Sequence, residues 1–286
     1  MKSEFNRIIT DLESVPLIID GMRDHGKTSS LKTLVQYIKE KRPTWIIKVF
    51  DISLAWYHQG PITYRQLVNR DSFKGLLQNK GDCLYEMGKL NDDGRRTFIA
   101  TIINNDFLTR YNAKIKDPDF EDNYPWILYI FEEGNTYFDS KSLIRKDWQK
   151  DTLKDFISAG RNYKQAAILV ATRVSGEVSP GYRNRCAYLL GRITGKEEKQ
   201  AIGKATSDET LKMAEKLKRF FFVYYNGTPS KPFRIKDLSK GAPKDVPYVD
   251  KTPKRKKPWS TKDFLLGLTI PLAISFFLLC YLFLIG

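Results

Sequence analysis

The sequence VPLIIDGMRDHGKT, residues 15–28, joins a short apolar run to a glycine-rich loop. The apolar run, residues 15–20, predicts a buried strand, and residues 21–28 fit the pattern GxxxxGK[ST] in full. Residues 30–41, SLKTLVQYIKEK, carry apolar side chains at helical spacing and end before Pro43. Strand, loop and helix in this order predict a P-loop, in which backbone amides and a helix N-terminus bind phosphate.

The P-loop supplies the first set of predicted site residues. Lys27 is expected to reach the β- and γ-phosphates and to act in catalysis, and Thr28 is expected to hold Mg²⁺. His25 is interpreted as a loop residue that presents its backbone amide, in preference to a catalytic or ligand role. The cofactors predicted from this motif are therefore ATP and Mg²⁺. The residues predicted to contact the nucleotide are Gly21, Asp24, His25, Gly26, Lys27, Thr28 and Ser29.

A second apolar run, residues 126–131, ends in two carboxylates and reads WILYIFEE through residue 133. This pattern is typical of a Walker B strand, whose tip reaches the magnesium ion of a P-loop site. Glu132 is expected to contact Mg²⁺ through water, and Glu133 is expected to act as the general base for the attacking water. A strand followed by a solvated acidic turn is the alternative, and the division of roles between the two carboxylates stays open.

The remaining pattern predicts an α/β fold with a mainly parallel sheet flanked by helices. Residues 1–238 are predicted to form the main domain, with residues 52–120 partly an insertion. The aromatic residues of this insertion are interpreted as core packing, with stacking on single-stranded nucleic acid as the alternative. Further strands are predicted at residues 45–50, 83–87, 166–172, 186–190 and 219–225, and further helices at 95–111, 148–159 and 208–217.

The C-terminal region has a different composition. Residues 239–263 are rich in Lys and Pro and predict a basic linker, whereas residues 264–285 lack any charged side chain. The uncharged run predicts one C-terminal transmembrane helix, and a buried helix is the alternative. Because basic residues precede this run and none follows it, the N-terminal domain is expected to be cytoplasmic. The expected localisation is a single-pass, C-terminally anchored protein of a host membrane, or of a virion membrane if the protein is viral.

Charge and cysteine usage limit the classes of partner and cofactor. The chain has 286 residues and a formal net charge of +15, which predicts a polyanionic partner, either nucleic acid or an anionic membrane surface. Three cysteines and two histidines show no metal-ligand spacing. A zinc module and a disulfide framework are therefore both disfavoured.

Four segments of residues 15–235 resemble the ATPases of the FtsK–HerA superfamily: GMRDHGKT, WILYIFEE, SAGRNYKQAAILVATR, and the run from NRCAYLLGRITG to KPFRI. The resemblance implies a P-loop NTPase domain of the RecA/ASCE type, working as a homo-oligomeric ring, expected to be a hexamer, that contacts DNA without reading its sequence. It also implies a polar sensor residue that reads the γ-phosphate, either Thr172 or Arg173. The family often has Gln where this chain has Arg173. Arg161 is the candidate that reaches the nucleotide of a neighbouring subunit, with Arg173 and Arg185 as alternatives.

The function implied is a membrane-anchored, ATP-hydrolysing DNA translocase that packages viral genomic DNA. The first alternative is a Zot-like ATPase that drives assembly or secretion of filamentous virions. A conjugative-type DNA transfer ATPase is the second, and a nucleotide-gated scaffold with negligible hydrolysis is the third. The N-terminal barrel of HerA and the long membrane domain of FtsK are absent from this chain, which leaves the motor domain.

Overall fold

A computed structural model describes residues 2–56, 61–62, 64–68, 81–133, 155–156 and 158–235. The chain divides into two units, Met1–Asp250 and Lys251–Gly286, and every described residue belongs to the first. The predicted linker at 239–263, the predicted membrane span at 264–285 and most of the helix predicted at 148–159 lie outside the described residues. The predicted domain boundaries stay predictions.

The described residues form one ten-stranded sheet in the order β10-β8-β7-β1-β6-β5-β2-β4-β3, with β9 paired to β8. The strands from β7 to β3 in this order run parallel, and β8, β9 and β10 add an antiparallel edge. The mainly parallel sheet predicted from the sequence is therefore confirmed. The strands are β1 Leu17–Asp20, β2 Ile46–Asp51, β3 Arg65–Leu67, β4 Cys83–Glu86, β5 Ile127–Phe131, β6 Gln165–Val170, β7 Ala187–Leu190, β8 Phe221–Asn226, β9 Thr228–Pro229 and β10 Phe233–Arg234.

Eight α-helices and a 3₁₀ turn are described around this sheet, and the turn spans Gly160–Tyr163. The helix that begins the chain was not predicted, although its buried side chains fall at helical spacing. The helices are α1 Lys2–Leu12, α2 Lys27–Lys41, α3 Asp92–Lys116, α4 Phe120–Asn123, α5 Val174–Glu177, α6 Pro180–Arg183, α7 Lys196–Ala205 and α8 Asp208–Glu215.

Apolar side chains cover both faces of the sheet, because successive residues of a strand point to opposite sides. On one face, Leu17 and Ile19 of β1 pack in a cluster with buried residues of α1 and α2. On the other face, Ile18 packs in a cluster with buried residues of α3, α7 and α8. A parallel sheet covered on both sides leaves its carboxyl-terminal edge open, and this is the edge where the loop after β1 lies.

A charged pair is buried beside the centre of the sheet. The Lys48 ammonium of β2 lies 2.6 Å from Oδ2 of Asp106 on α3, and both side chains are largely buried. The Tyr129 hydroxyl of β5 donates to the same carboxylate oxygen at 2.7 Å. The carboxylate thereby joins two strands to the helix that covers them.

The predicted fold class is wrong in one part, the transmembrane helix. Among the described residues, no helix is both long enough and apolar enough to cross a membrane. The longest, α3, has 25 residues, but charged side chains occur along its length, from Asp92 to Lys116. The part of the chain that the structure describes therefore forms an α/β sheet, and none of its helices spans a membrane.

Candidate nucleotide-binding site

The loop between β1 and α2 has the shape that its sequence predicts. Gly26 adopts a left-handed conformation with φ 89°, and α2 begins at the next residue, Lys27. Asp24 is also left-handed, with φ 59°, which Asp tolerates better than most residues. The Met22 amide donates to the carbonyl of Arg192 at 2.8 Å, which ties the loop to the segment after β7. The first amides of α2, which have no partner within a helix, are thereby fixed at the open edge of the sheet.

The loop is held in place by β7 and β8. The His25 ring is 5% exposed, and its Nε2 donates to the Phe221 carbonyl at 3.1 Å. Burial lowers the pKa of His25, which favours the neutral ring. A Cβ added at Gly191 would lie 2.5 Å from Cδ2 of His25, so only glycine allows this close approach. His25 was interpreted as a residue that presents its amide, but its ring is a packed part of the loop's support.

Lys27 lies over the loop that precedes it. Its ammonium donates to the carbonyl of Gly21 at 2.6 Å and to that of Met22 at 3.1 Å. Burial lowers the pKa of Lys27, and the acidic side chains of Asp20 and Glu132 act in the opposite direction. The cation is thus partly desolvated beside acidic groups, where its attraction for phosphate oxygens is stronger than in water.

Thr28 and Glu132 meet although β1 and β5, the strands that precede them, are not neighbours. Strand β6 lies between β1 and β5, yet the Thr28 hydroxyl donates to Oε2 of Glu132 at 3.5 Å. Glu132 is 3% exposed, and burial raises its pKa from 4.5 to about 7. A hydroxyl and a carboxylate side by side are hard oxygen donors of the kind that Mg²⁺ prefers.

Trp56 orients the Glu132 carboxylate, a contact that the sequence did not reveal. The indole Nε1 donates to Oε1 of Glu132 at 2.8 Å, and the Trp56 side chain is 1% exposed. Trp56 is itself fixed by Asp51, the last residue of β2, whose carboxylate accepts from the Trp56 amide at 2.9 Å and from the Ser53 amide at 3.0 Å. The packing interpretation of the aromatic insertion is correct for Trp56, but this residue also contacts the candidate magnesium ligand.

Glu133 differs from Glu132 in exposure and in backbone conformation. It lies beyond the end of β5, its side chain is exposed, and its backbone is left-handed with φ 55°. A non-glycine residue in this conformation at a strand tip turns the chain sharply. The buried carboxylate suits a metal ligand, and the exposed one is open to water. The predicted role of Glu133 as general base stays a prediction.

The predicted sensor residues lie beside the P-loop. Thr172 and Arg173 follow β6 at the same edge of the sheet, and both are exposed. They line a cavity of about 640 Å³ together with Asp20, Gly21, Met22, Arg23 and residues at the start of α7. Either side chain is therefore near the P-loop, and the choice between them stays open.

Arg161 lies at the other end of the sheet. It belongs to the 3₁₀ turn that precedes β6, and β6 runs parallel to β1. Six residues of strand separate this turn from the P-loop edge, which corresponds to about 20 Å. Arg161 and Arg185 line a second cavity there, of about 380 Å³. Arg161 therefore does not belong to the nucleotide site of its own chain.

The residues present fit ATP and Mg²⁺. A Cβ added at Gly26 would lie 2.3 Å from a Phe220 ring atom, so the loop leaves no room for a side chain where its backbone turns. Among the described residues, no group of three His, Cys, Asp or Glu side chains could hold a metal. Thr28 and Glu132, 3.5 Å apart, would hold Mg²⁺ together with substrate phosphates, since Mg²⁺ is usually bound by one or two protein groups plus phosphate oxygens.

No family model matches the sequence, and no curated protein matches it significantly. Solved structures do match. The genome packaging NTPase B204 of Sulfolobus turreted icosahedral virus 2, in complex with sulfate, superimposes with a TM-score of 0.57 at 16% identity, over 78% of this chain and 97% of that one. EssC (ATPases 2 and 3) of Geobacillus thermodenitrificans has a TM-score of 0.50 at 15% identity, over 78% of this chain and 39% of EssC.

The pCW3 conjugation coupling protein TcpA has a TM-score of 0.50 at 13% identity, over 79% of this chain and 62% of TcpA. At these identities the similarity shows the fold. The chain has the fold of P-loop ATPases of this kind, which confirms the predicted resemblance to the FtsK–HerA superfamily at the level of fold.

Proposed function

We propose that this protein is a Mg²⁺-dependent ATPase that translocates DNA, and that its cargo is a viral genome during packaging. The observation that carries the proposal is the contact between Thr28 and Glu132. The hydroxyl at the start of α2 and the buried carboxylate that follows β5 lie 3.5 Å apart, and Lys27 is the first residue of α2. A P-loop that served only to bind an anion would not require this carboxylate.

Each group of this chain then has a defined task. Loop amides and Lys27 bind the phosphates, while Thr28 and Glu132 hold the metal. Magnesium supplies positive charge that offsets the charge developing on the transferred phosphoryl group. Glu133, exposed at the strand tip, orients the attacking water and takes its proton.

DNA as the cargo is supported by fold similarity and charge. B204, named as a genome packaging NTPase, is covered over 97% of its length, whereas TcpA and EssC are covered over 62% and 39%. A single motor domain of the packaging type is thus the better template. The net charge of +15 favours a polyanionic track bound through phosphate contacts.

The test is ATP hydrolysis by the purified protein, with and without duplex DNA. Lys27→Ala and Glu133→Gln are each expected to lower turnover by at least 100-fold, because each removes a group that acts on the reacting phosphate. Lys212→Ala, at an exposed position on α8, is the matched control and should retain full activity. Hydrolysis without stimulation by DNA, together with no salt-sensitive DNA binding, would refute the DNA part of the proposal.

We further propose that the protein works as a homo-oligomeric ring in which Arg161 contacts the nucleotide of a neighbouring subunit. The support is geometric, because Arg161 lies about 20 Å from its own P-loop. Lys27→Ala has an inactive site but an intact Arg161, and Arg161→Ala is the reverse. Mixing the two inactive proteins should restore part of the activity. No recovery in a verified mixed oligomer would argue against this role.

The alternatives differ in cargo. A Zot-like assembly ATPase should capture coat or secretin-like proteins and should not move along naked duplex. A conjugative transfer ATPase should act on a protein–DNA complex, and a nucleotide-gated scaffold should bind ATP with negligible turnover. A translocation assay on naked duplex DNA separates the packaging motor from all three.

A further inference from the structure

Asp20 places a buried carboxyl directly under the P-loop. It is the last residue of β1 and is 1% exposed. Its Oδ1 accepts from the Gly21 amide at 2.7 Å, the first amide of the loop. Its Oδ2 is equally buried, and no donor reaches it from the part of the chain that the structure describes. A buried acceptor without a donor is costly, which indicates that this oxygen carries a proton.

Glu198 of α7 approaches from the other side and is 8% exposed. Its Oε1 accepts from the Val174 amide at 2.7 Å, and its Oε2 accepts from the Ser175 amide at 3.1 Å. These amides follow Thr172 and Arg173 directly. Both oxygens of Glu198 thus already accept from backbone amides, so a hydrogen bond between the two carboxyls would need its proton on Asp20.

Glu198 is close enough to Asp20 to act on its carboxyl. Burial raises the pKa of Asp20 well above its ordinary value, the hydrogen bond and charge of Glu198 raise it further, and Lys27 opposes the shift. The Tyr188 hydroxyl of β7 and the Lys27 ammonium are each in electrostatic contact with both carboxyls. The further charged groups that line the adjoining cavity are Arg23, Arg173, Lys196 and Glu197.

We propose that Glu198 is a positioning residue that ties the segment carrying Thr172 and Arg173 to the P-loop, through a proton carried by Asp20. The chain of bonds runs from the amides of α5 to the Glu198 carboxylate, from there to the protonated Asp20, and on to the Gly21 amide. It fixes the distance between the sensor segment and the phosphate-binding loop. Its effect on turnover rests on the proposed ATPase function, whereas its effects on stability and nucleotide binding do not.

Two isosteric substitutions separate the roles of the carboxyls. In Asp20→Asn, the amide nitrogen can donate to Glu198 while the amide oxygen still accepts from Gly21, so the variant imitates protonated Asp20 at every pH. In Glu198→Gln, the new NH₂ group must face a backbone N–H or the proton of Asp20, so one bond is lost. Glu197→Gln, on the exposed side of the same helix, is the matched control.

The experiment measures the Kd for ATPγS and the urea midpoint of unfolding, both between pH 6 and pH 10. We expect Glu198→Gln to weaken binding about tenfold at neutral pH, equivalent to about 1.4 kcal/mol, while Glu197→Gln stays within twofold of the unmodified protein. In the unmodified protein both quantities should worsen toward alkaline pH as Asp20 loses its proton beside Glu198. Asp20→Asn should lack that part of the change.

Each outcome bears on the inference. An alkaline loss that persists unchanged in Asp20→Asn would come from another group, such as Lys27, and would overturn the shared proton. Glu198→Gln behaving like Glu197→Gln would overturn the positioning role. If ATPγS binds but no turnover occurs, the proposed function fails and the inference can still be correct. If ATPγS does not bind, the unfolding midpoints of the same variants decide the question.

Discussion

Glu132→Gln should make the protein more stable at alkaline pH, an unusual result for a residue in a candidate active site. The Glu132 carboxyl is 3% exposed, and burial raises its pKa from 4.5 to about 7. A carboxyl with a raised pKa in the folded protein destabilises the fold once it must ionise there. Gln keeps the shape and can still accept from the Trp56 indole, but it never carries a charge.

The sign and size follow from the two pKa values. Below pH 4.5 the carboxyl is neutral in both the folded and unfolded states, so Glu132 and Gln differ little. As pH rises from 4.5 to about 7, the unfolded state ionises first and the folded state loses stability. The full difference corresponds to about 3 kcal/mol, since each pKa unit is worth about 1.4 kcal/mol. Above pH 7 the advantage of Gln should be constant.

Urea denaturation at pH 5, 6, 7 and 8, without nucleotide or magnesium, measures the effect. The difference between Glu132→Gln and the unmodified protein isolates Glu132, because Asp20 contributes equally to both. Glu133→Gln is the matched control, because the Glu133 side chain is exposed. This substitution should leave the pH dependence of the free energy of unfolding unchanged. Parallel stability curves for Glu132→Gln and the unmodified protein would refute the reasoning.

Three further substitutions test contacts around the site. Trp56→Phe keeps an aromatic side chain but removes the 2.8 Å hydrogen bond to Glu132 and part of the buried ring volume. It should cost at least about 1–2 kcal/mol of stability and lower turnover about tenfold, measured by denaturation and ATPase assays. Gly191→Ala should weaken ATPγS binding at least tenfold, because its Cβ would lie 2.5 Å from the His25 ring. The double variant that also carries His25→Ala should regain part of the affinity. Lys48→Met should lower the free energy of unfolding by about 3–5 kcal/mol by leaving its buried carboxylate partner without a cation, which a urea titration measures.

The parts of the site that could be predicted from the sequence are those whose residues lie together in one short segment. The P-loop of residues 21–28 and the run of residues 126–133 each combine a strand, its end and its functional side chains within one segment. Because parallel strands end at the same edge of a sheet, two such segments predict a shared site. That reasoning needs no knowledge of which strands are neighbours.

Contacts between distant segments could not be predicted in this way. Trp56 meets Glu132 across 76 positions of sequence, and nothing in the residues around Trp56 distinguishes it from another core aromatic. Glu198 stands in a charged helix start, GKEEKQ, where a solvated position is the ordinary expectation. Its burial follows from the packing of α7 against α5, which the sequence does not encode locally. The α1 helix is different, because its apolar spacing was visible in the sequence.

The two unpredicted contacts act on the site from opposite sides. Trp56, fixed by the end of β2, holds the carboxylate that faces Thr28, whereas Glu198, through Asp20, holds the first amide of the P-loop. One contact therefore bears on the metal ligand and the other on the loop that binds phosphate. The motif residues account for what the site binds, and these supports account for how firmly each half of it is held.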